Sequence, residues 1–595
     1  MSGKEGRGAG QHERRAAGKG NPEDPALAPG PFGGPGKKGS RLLKQSPANK
    51  FPTELKRFKY EIEDHARSCG LDFFPVIFEV LDYQEINEVA AYQGFPLRYP
   101  HWYFGMHFEE VSKSYAYGLS RIYEMVINNN PCYAYLLKCN HLTDQKLVMA
   151  HVYAHCDFFK NNLYFAHTNR KMIDEMANHA TRVQRYEDRY GAQAVEAFID
   201  CCLSLENLVD PHGPFIKRRE QEGRAERAFH QSLGWGHDHP PGCGPEGDKA
   251  CSSGAGTACP GNSPGNPGAG DETPPDLFAD EEGEERVVPR RLRSKGYMDR
   301  YVNPPDFLRA RTEELKARQK GKKRFPESPQ PDVLLFLIEN APLKNWQRDL
   351  LSIIREEAYY FLPQAQTKIM NEGWATYWHS RLMTEKVLTD PEVIDYADHH
   401  SGTLGGSRMS LNPYKLGLEL YRDIEDRWNK GRFGKEYEAC EDLRARETWD
   451  RNLGLGRGKL FEVRRLHNDL TFIDTFLTED FCRRQKLFVY GREESQKTWT
   501  IRTREFPQIK RTLLDSLTNL GHPLIRAVDG NFENRGELLL LHQHEGRDLR
   551  WDFSRDTLAN LHRIWKRPVH VETLKEGKRV RLTYDGKEHR ERLLQ

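Results

Sequence analysis

Apolar residues recur every three to four positions over Tyr115 to Asn128 and again over Thr143 to Asn161, which predicts a helix across each stretch. Lys171 to Tyr190 keeps the same period with charged outer positions, the pattern of an amphipathic helix. Strand-like alternation is absent after these segments, so residues from about 50 to 215 read as mostly helical. A second part opens with the apolar run Val333 to Ile338, followed by a helix from about Leu343 to Phe361. Pro363 is expected to interrupt that helix because it has no N–H to donate, and a further helix then runs from about Ala365 to Met383. From about residue 485 the period shortens. Leu487 to Tyr490, Trp499 to Arg502, Leu524 to Val528, Glu537 to His542, Val569 to Thr573 and Arg579 to Thr583 read as strands, with helices near 506–519 and 554–565 between them. The predicted fold class is α+β: predominantly helical N-terminal and central parts with a smaller C-terminal α+β domain.

Composition changes the picture between these parts. The chain has 595 residues, too many for one ordinary core, yet only 37% are hydrophobic and the mean hydropathy is −0.79. Long stretches must therefore lie outside any core. Residues 1–48 are Gly, Pro, Lys and Arg with little to bury and read as a disordered tail. Residues 218–328 read as a low-complexity linker or insertion: Gly234 to Pro275 is rich in Gly, Pro and Ser, an acidic patch spans Asp280 to Glu285, and a basic one runs from Arg290 to Arg324. The expected organisation is thus 1–48, 49–217, 218–328, 329–484 and 485–595.

Charge and cysteine usage narrow the function classes. Lys+Arg 89 against Asp+Glu 87 leaves a net charge of +2, with no global field toward nucleic acid or membrane. No apolar run approaches the roughly 20 residues a membrane helix requires. The polar N-terminus lacks the apolar core of a secretory signal, and the 11 cysteines form no repeating framework, so a cytoplasmic protein with reduced thiols is expected. Cys69, Cys132, Cys139, Cys156, Cys201 and Cys202 sit among apolar residues and read as core thiols.

Two constellations carry candidate chemistry. His151-Val152-Tyr153-Ala154-His155 places two imidazoles one helical turn apart, a spacing suited to zinc or another divalent transition metal. The zinc-peptidase motif has the same spacing but a glutamate after its first histidine. Here that position is Val152, so an ordinary zinc protease is not supported. In the competing reading both histidines pack in a helical core, hydrogen-bonded to neighbours such as Asp157 or Asn162.

The second constellation is Asn371 to His379, an acid and an imidazole among bulky aromatics. As helix it puts Glu372, Thr376 and His379 on one face, and burying a carboxylate beside tryptophans is costly unless it is paired or bound. Glu372 is the natural third ligand for His151 and His155, and His379, two turns further along the same face, is a further candidate metal ligand. Glu356 and Glu357, on the preceding helix, are the candidate proton handlers. Together they would form a His2Glu site able to activate water for amide or ester hydrolysis. Alternatively, Glu372 pairs with Lys368, and Trp374 and Trp378 are core. Asp395, Asp398, His399 and His400 read as a helix end and loop before Gly402. Cys243, Cys251 and Cys259 lack a close Cys-x-x-Cys pair, Gly402 to Gly406 lacks the Lys-Ser/Thr of a phosphate loop, and no nucleophile stands in a recognisable turn.

The runs GFPLRYPHW (Gly94 to Trp102), YEMVIN (Tyr123 to Asn128), HVYAHCDFFKNN (His151 to Asn162), TKIMNEGWATYWH (Thr367 to His379), Asn412-Pro413-Tyr414 with Gly417, and NDLTFIDTFLT (Asn468 to Thr478) resemble the stage V sporulation protein R family. The resemblance covers about 50–215 and 330–575. The N-terminal tail and the 218–328 insertion depart from it. It implies a cytoplasmic bacterial protein of spore cortex formation or, in non-sporulating bacteria, of stationary-phase or stress physiology. It implies as partners a serine protein kinase and a von Willebrand-type domain protein. It supplies no catalytic residues. Two readings follow: a zincin-like metal-dependent hydrolase, or a non-catalytic regulatory or scaffold protein acting with the kinase.

Overall fold

Strands as well as helices build the first described part, which runs α1 (Thr53–Ser68), β1 (Val76–Leu81), α2 (Tyr83–Ala91), α3 (Trp102–Ala116), β2 (Glu124–Ile127), β3 (Cys132–Leu137), α4 (Leu142–Asn161), α5 (Met172–Tyr190) and α6 (Ala192–Leu203). The computed structural model describes residues 51–117, 122–216, 303–310, 313, 325–405, 411–493 and 498–594. The expected tail over 1–48 lies outside them, as does all of the expected insertion except 303–310, 313 and 325–328.

The predicted helix over Tyr115 to Asn128 is corrected. Helix α3 ends at Ala116, and Glu124–Ile127 is a strand. A short apolar run such as Met125-Val126-Ile127 satisfies either period, and pairing decides it. Strand β2 lies antiparallel to β3, with Val126 opposite Ala134, and β3 lies parallel to β1, with Val76 opposite Cys132. The resulting sheet, in the order β1-β3-β2, lies in the part read as mostly helical. Its short strands are flanked by Pro75 and by the Asn130-Pro131 turn, which hid the two-residue alternation.

The second part runs α7 (Val333–Asn340), α8 (Asn345–Gln366), α9 (Lys368–Leu382), α10 (Val393–Leu404), α11 (Pro413–Lys430), α12 (Gly456–Leu466), α13 (Asp469–Phe476) and α14 (Glu479–Gln485). Pro363 does not interrupt its helix. Helix α8 passes through it and ends at Gln366, so Pro363 stands in the last turn of a 22-residue helix. The break comes at Thr367, whose Oγ1 donates to the Pro363 carbonyl at 2.7 Å. Helix α9 then starts afresh, with the Ile369 and Met370 N–H groups each donating to the Asp469 carboxylate at 2.8 Å. A side chain from α13 thereby satisfies two of the otherwise unpaired N–H groups of α9.

Helices α4 and α9 are both enclosed. On α4 every residue from Thr143 to Phe159 is buried, and on α9 nearly every residue from Ile369 to Leu382. Helix α9 crosses α11 at a glycine pair, where a Cβ on Gly373 would lie 2.4 Å from the Gly417 Cα. The lone glycine of the Asn371–His379 stretch and the Gly417 of the Asn-Pro-Tyr motif are thus two sides of one backbone contact. Around it Trp374 packs edge-on against Trp378, Tyr421 and Phe461. The Trp374 Nε1–H donates to Asp157 Oδ2 of α4 at 2.9 Å.

The C-terminal part runs β4 (Val489–Glu493), β5 (Thr498–Thr503), α15 (Phe506–Leu517), β6 (Leu524–Phe532), β7 (Glu537–Gln543), α16 (Trp551–Trp565), β8 (Val569–Lys575), β9 (Lys578–Tyr584) and β10 (His589–Leu593). Strands β4 and β5 form a hairpin, and the other five a sheet in the order β10-β9-β8-β7-β6. Strands β7 and β8 are parallel, joined across α16. Strand β10 was not foreseen, because His589-Arg590-Glu591-Arg592 is charged throughout, as an edge strand often is. One apolar cluster joins this sheet (Leu538, Val569, Leu582) to α7 and α8 (Leu334, Leu350). The architecture is α+β, with helices in the N-terminal and central parts and a sheet-containing C-terminal domain.

Candidate metal centre

Helix α4 presents His151 and His155 on the face turned toward α9, where Glu372 projects between them. The Glu372 Oε2 lies 3.5 Å from His151 Nε2 and 3.6 Å from His155 Nε2. These spacings are too long for hydrogen bonds, and Oε2 is a buried oxygen with no hydrogen-bond partner. They are close to the separation of about 3.3 Å between two ligands held at about 2.0–2.1 Å by one tetrahedral zinc. All three side chains are buried, and their ligand atoms fall within 4.8 Å of one another.

The surrounding hydrogen bonds aim these groups. His155 Nδ1–H donates to Asn371 Oδ1 at 2.9 Å, which leaves the lone pair on Nε2, facing Glu372. Burial, helped by the neighbouring His151, lowers His155 to about 4, so its imidazole is neutral near pH 7 and available as a ligand. Burial acts to raise Glu372, but His151, His155 and the Lys368 ammonium outweigh it and hold the carboxyl well below its usual range. Lys368 Nζ sits 2.6 Å from Glu372 Oε1, so the expected ion pair is present on the oxygen turned away from the histidines. One carboxylate serves both readings. Asp157 and Asn162 do not pair with the histidines: Asp157 receives Trp374, and the Asn162 amide donates to the Arg464 and His467 carbonyls.

His379 stands behind His151. Their Nδ1 atoms share a hydrogen bond of 2.8 Å, one of the two carrying the proton, and His379 Nε2 faces His400 Nδ1 at 3.2 Å. His379 does not join the converging ligand atoms of His151, His155 and Glu372 and is instead placed to orient His151. His399 and His400 lie within helix α10 and not in a loop: His399 Nδ1 is 2.7 Å from Asp144 Oδ1 of α4, and His400 extends the chain of imidazoles from His151.

Glu356 and Glu357 have other partners. His179 Nδ1 donates to Glu357 Oε1 at 3.1 Å, Arg98 donates to Glu357 Oε2, and Glu356 Oε2 lies 3.4 Å from His179 Nε2. Burial works against a charge on His179, but the two glutamates outweigh it and raise it to about 9.

Two residues at the centre carried no role in the sequence reading. Glu124, on β2, places Oε1 3.9 Å from His151 Nε2, and burial raises its pKa above the usual carboxylate range. Tyr414, in the first turn of α11, stacks against His151 with ring centroids 6.3 Å apart. Burial and the carboxylates of Glu372 and Glu124 push its hydroxyl upward. Both belong to motifs quoted above, YEMVIN and Asn-Pro-Tyr. An acid opening an apolar strand was the available signal for Glu124, but its direction became readable only once β2 had a pairing partner.

Comparison with known proteins covers the segments that carry these residues. Residues 49–240 and 271–522 match the family described as SpoVR like protein. The chain belongs to the SpoVR-like family. It is also 29% identical over 381 residues to the uncharacterized protein YcgB of Escherichia coli strain K12, covering 61% of this chain. The chain spans about three fifths of that relative, 62% of its length. No solved structure matches. None of the described helices is long and apolar enough to cross a membrane.

Proposed function

We propose that this SpoVR-like protein holds a divalent transition metal, zinc foremost, on His151, His155 and Glu372 and acts as a metal-dependent hydrolase of amide bonds, a peptide or cell-wall-related amide being the substrate class. The observation that carries the reading is the partnerless Glu372 Oε2, set between two imidazole nitrogens at ligand spacing, with the tautomer of His155 fixed by Asn371. Three protein ligands leave one tetrahedral position open, the arrangement of catalytic and not structural zinc, and a bound ion there would supply Lewis acidity. Glu124 is the carboxylate placed to exchange a proton beside the ligands, and its raised pKa suits that task. Tyr414 packs against the His151 ring.

Process, place and partners follow from the family's name and the resemblance. They are spore cortex formation or stationary-phase physiology, in the cytoplasm, with a serine protein kinase and a von Willebrand-type domain protein. A second reading, a non-catalytic regulator acting with that kinase, is favoured by one observation. The three ligands are only 4–6% exposed and Lys368 covers the Glu372 carboxylate, so substrate reaches the centre only if this cover moves.

Elemental analysis separates the two. Wild-type chain reconstituted with zinc retains an ion after gel filtration, and His155→Ala and Glu372→Ala each lose one equivalent. Wild-type protein whose zinc content does not change with either substitution overturns the reading. With the ion confirmed, release of new amines from cell-wall peptide, absent in Glu124→Gln, supports hydrolysis, and its absence from the wild-type protein returns the regulator.

A further inference from the structure

We propose that Glu175, His179 and Glu356 form a second divalent transition-metal site, open to solvent, distinct from the buried centre on α4 and α9. Glu175 and His179 stand one turn apart on α5, and Glu356 faces them from α8. The His179 Nε2 lies 3.5 Å from Glu175 Oε1 and 3.4 Å from Glu356 Oε2, and the three ligand atoms all fall within 4.8 Å of one another. As in the first site, these spacings exceed hydrogen bonds and match two ligands sharing one ion.

The independent sign of a ligand is His179 itself. It is wholly buried, at 0% exposure, yet its Nε2 has no hydrogen-bond partner and points at the two carboxylates. Its Nδ1 is engaged by Glu357 at 3.1 Å, and Glu357 is in turn held by Arg98. A carboxylate behind the imidazole that fixes which nitrogen faces forward is the usual support of a metal-binding histidine.

Charge points the same way. Glu175, Glu356 and Glu357 crowd one imidazole, and Arg98 answers only Glu357. The nearby Arg182 is already paired with Asp349. With the His179 proton displaced by an ion, two negative charges are left, the complement of a divalent cation. Glu175 and Glu356 keep 30% and 44% of their side chains exposed, and Glu356 borders a cleft of about 390 Å³ lined also by Tyr164, His167 and Asn169. An ion can enter there without the fold opening. One imidazole with two carboxylates selects zinc or manganese over calcium and magnesium, which favour all-oxygen shells.

The test is equilibrium dialysis of the full chain, freed of metal by chelation, against zinc, with bound ion counted by mass spectrometry. Wild type should bind two ions per chain. Glu175→Gln/Glu356→Gln should bind one, and His151→Ala/His155→Ala should bind one, so failure of either site is seen separately. Glu356→Gln alone, a change at an exposed carboxylate that the fold tolerates, should weaken one of the two ions at least tenfold. Glu175→Gln/Glu356→Gln and Glu356→Gln that both keep wild-type stoichiometry and affinity overturn the proposal. So does a wild-type chain that binds no ion beyond those lost in His151→Ala/His155→Ala.

Discussion

Replacing Gly417 with alanine tests whether the crossing of α9 and α11 is what brings Tyr414 and Glu372 together. The added Cβ would lie 2.2 Å from the Ile369 carbonyl oxygen and 2.6 Å from the Gly373 Cα. Both obstacles are backbone, so no rotamer change relieves them. To reach ordinary van der Waals contact the helices must part by about 1 Å, which forfeits about a quarter to a half of each dispersion contact across the seam. Overpacking costs about 1–3 kcal/mol where side chains yield, and a backbone obstacle places this substitution at the upper end. Alanine's better helix propensity returns about 1 kcal/mol, so the net loss is about 2 kcal/mol. Gly105→Ala is the control: it lies on α3, and a Cβ there meets nothing within 4 Å, so up to about 1 kcal/mol of stabilisation is expected. Urea denaturation followed by tryptophan fluorescence, in excess chelator, reads both. The reasoning fails if Gly417→Ala unfolds within about 0.5 kcal/mol of wild type, or if Gly105→Ala loses as much.

Other substitutions probe the site and the C-terminal domain. Asn371→Ala removes the acceptor of His155 Nδ1–H but no ligand, so zinc affinity should fall about 10- to 100-fold by competition titration, and an unchanged affinity would count against its orienting role. Zinc at about 1,000 times the dissociation constant of the α4–α9 centre should stabilise the chain through that centre by about 4 kcal/mol in urea titrations, a contribution that His155→Ala/Glu372→Ala loses while keeping whatever zinc at Glu175, His179 and Glu356 adds. His542, buried on β7 and accepting or donating at Thr573 Oγ1, is lowered by burial to about 4. A lowered histidine contributes stability present above its unfolded value near 6.5 and lost as pH falls toward 4, about 1.4 kcal/mol per pH unit at most. The urea midpoint should therefore drop between pH 6.5 and 4, and His542→Gln should flatten that acid limb. Equal slopes would assign the loss to other groups. Trp374→Phe leaves Asp157 without its indole donor and should cost about 1–2 kcal/mol in the same assay.

Legibility in the sequence followed the range of each interaction. Helix α5 and six of the C-terminal strands repeat a local period over enough residues for the pattern to be read directly, whereas α4 and α9, buried on every face, are legible by their length and apolar content. Strands β1 to β3 are four to six residues each, and only their mutual pairing distinguishes them from helical fragments. The break was placed a few residues early: α8 runs through Pro363 and ends at Gln366, where Thr367 separates it from α9. Within the site, His151 and His155 are neighbours by helical geometry, and Glu372 was reachable because a carboxylate among tryptophans needs a reason. Glu124, Tyr414 and Asn371 were not, since their roles depend on how β2, α11 and α9 meet α4. Gly373 and Gly417 explain that meeting, but a glycine does not name its partner.

The proposed ligands divide between two segments of the chain. His151 and His155 come from the part before residue 217, Glu372 and Tyr414 from the part after residue 325, and neither part holds a complete set. A nascent chain that has released only its first part offers at most two imidazoles on one helix, a weak grip for any ion. Loading must then wait until α9 has docked on α4, late in synthesis, so a filled centre certifies that both parts have folded and joined. Under the proposed function, occupancy of the site by a newly made molecule would serve as a checkpoint on its own assembly.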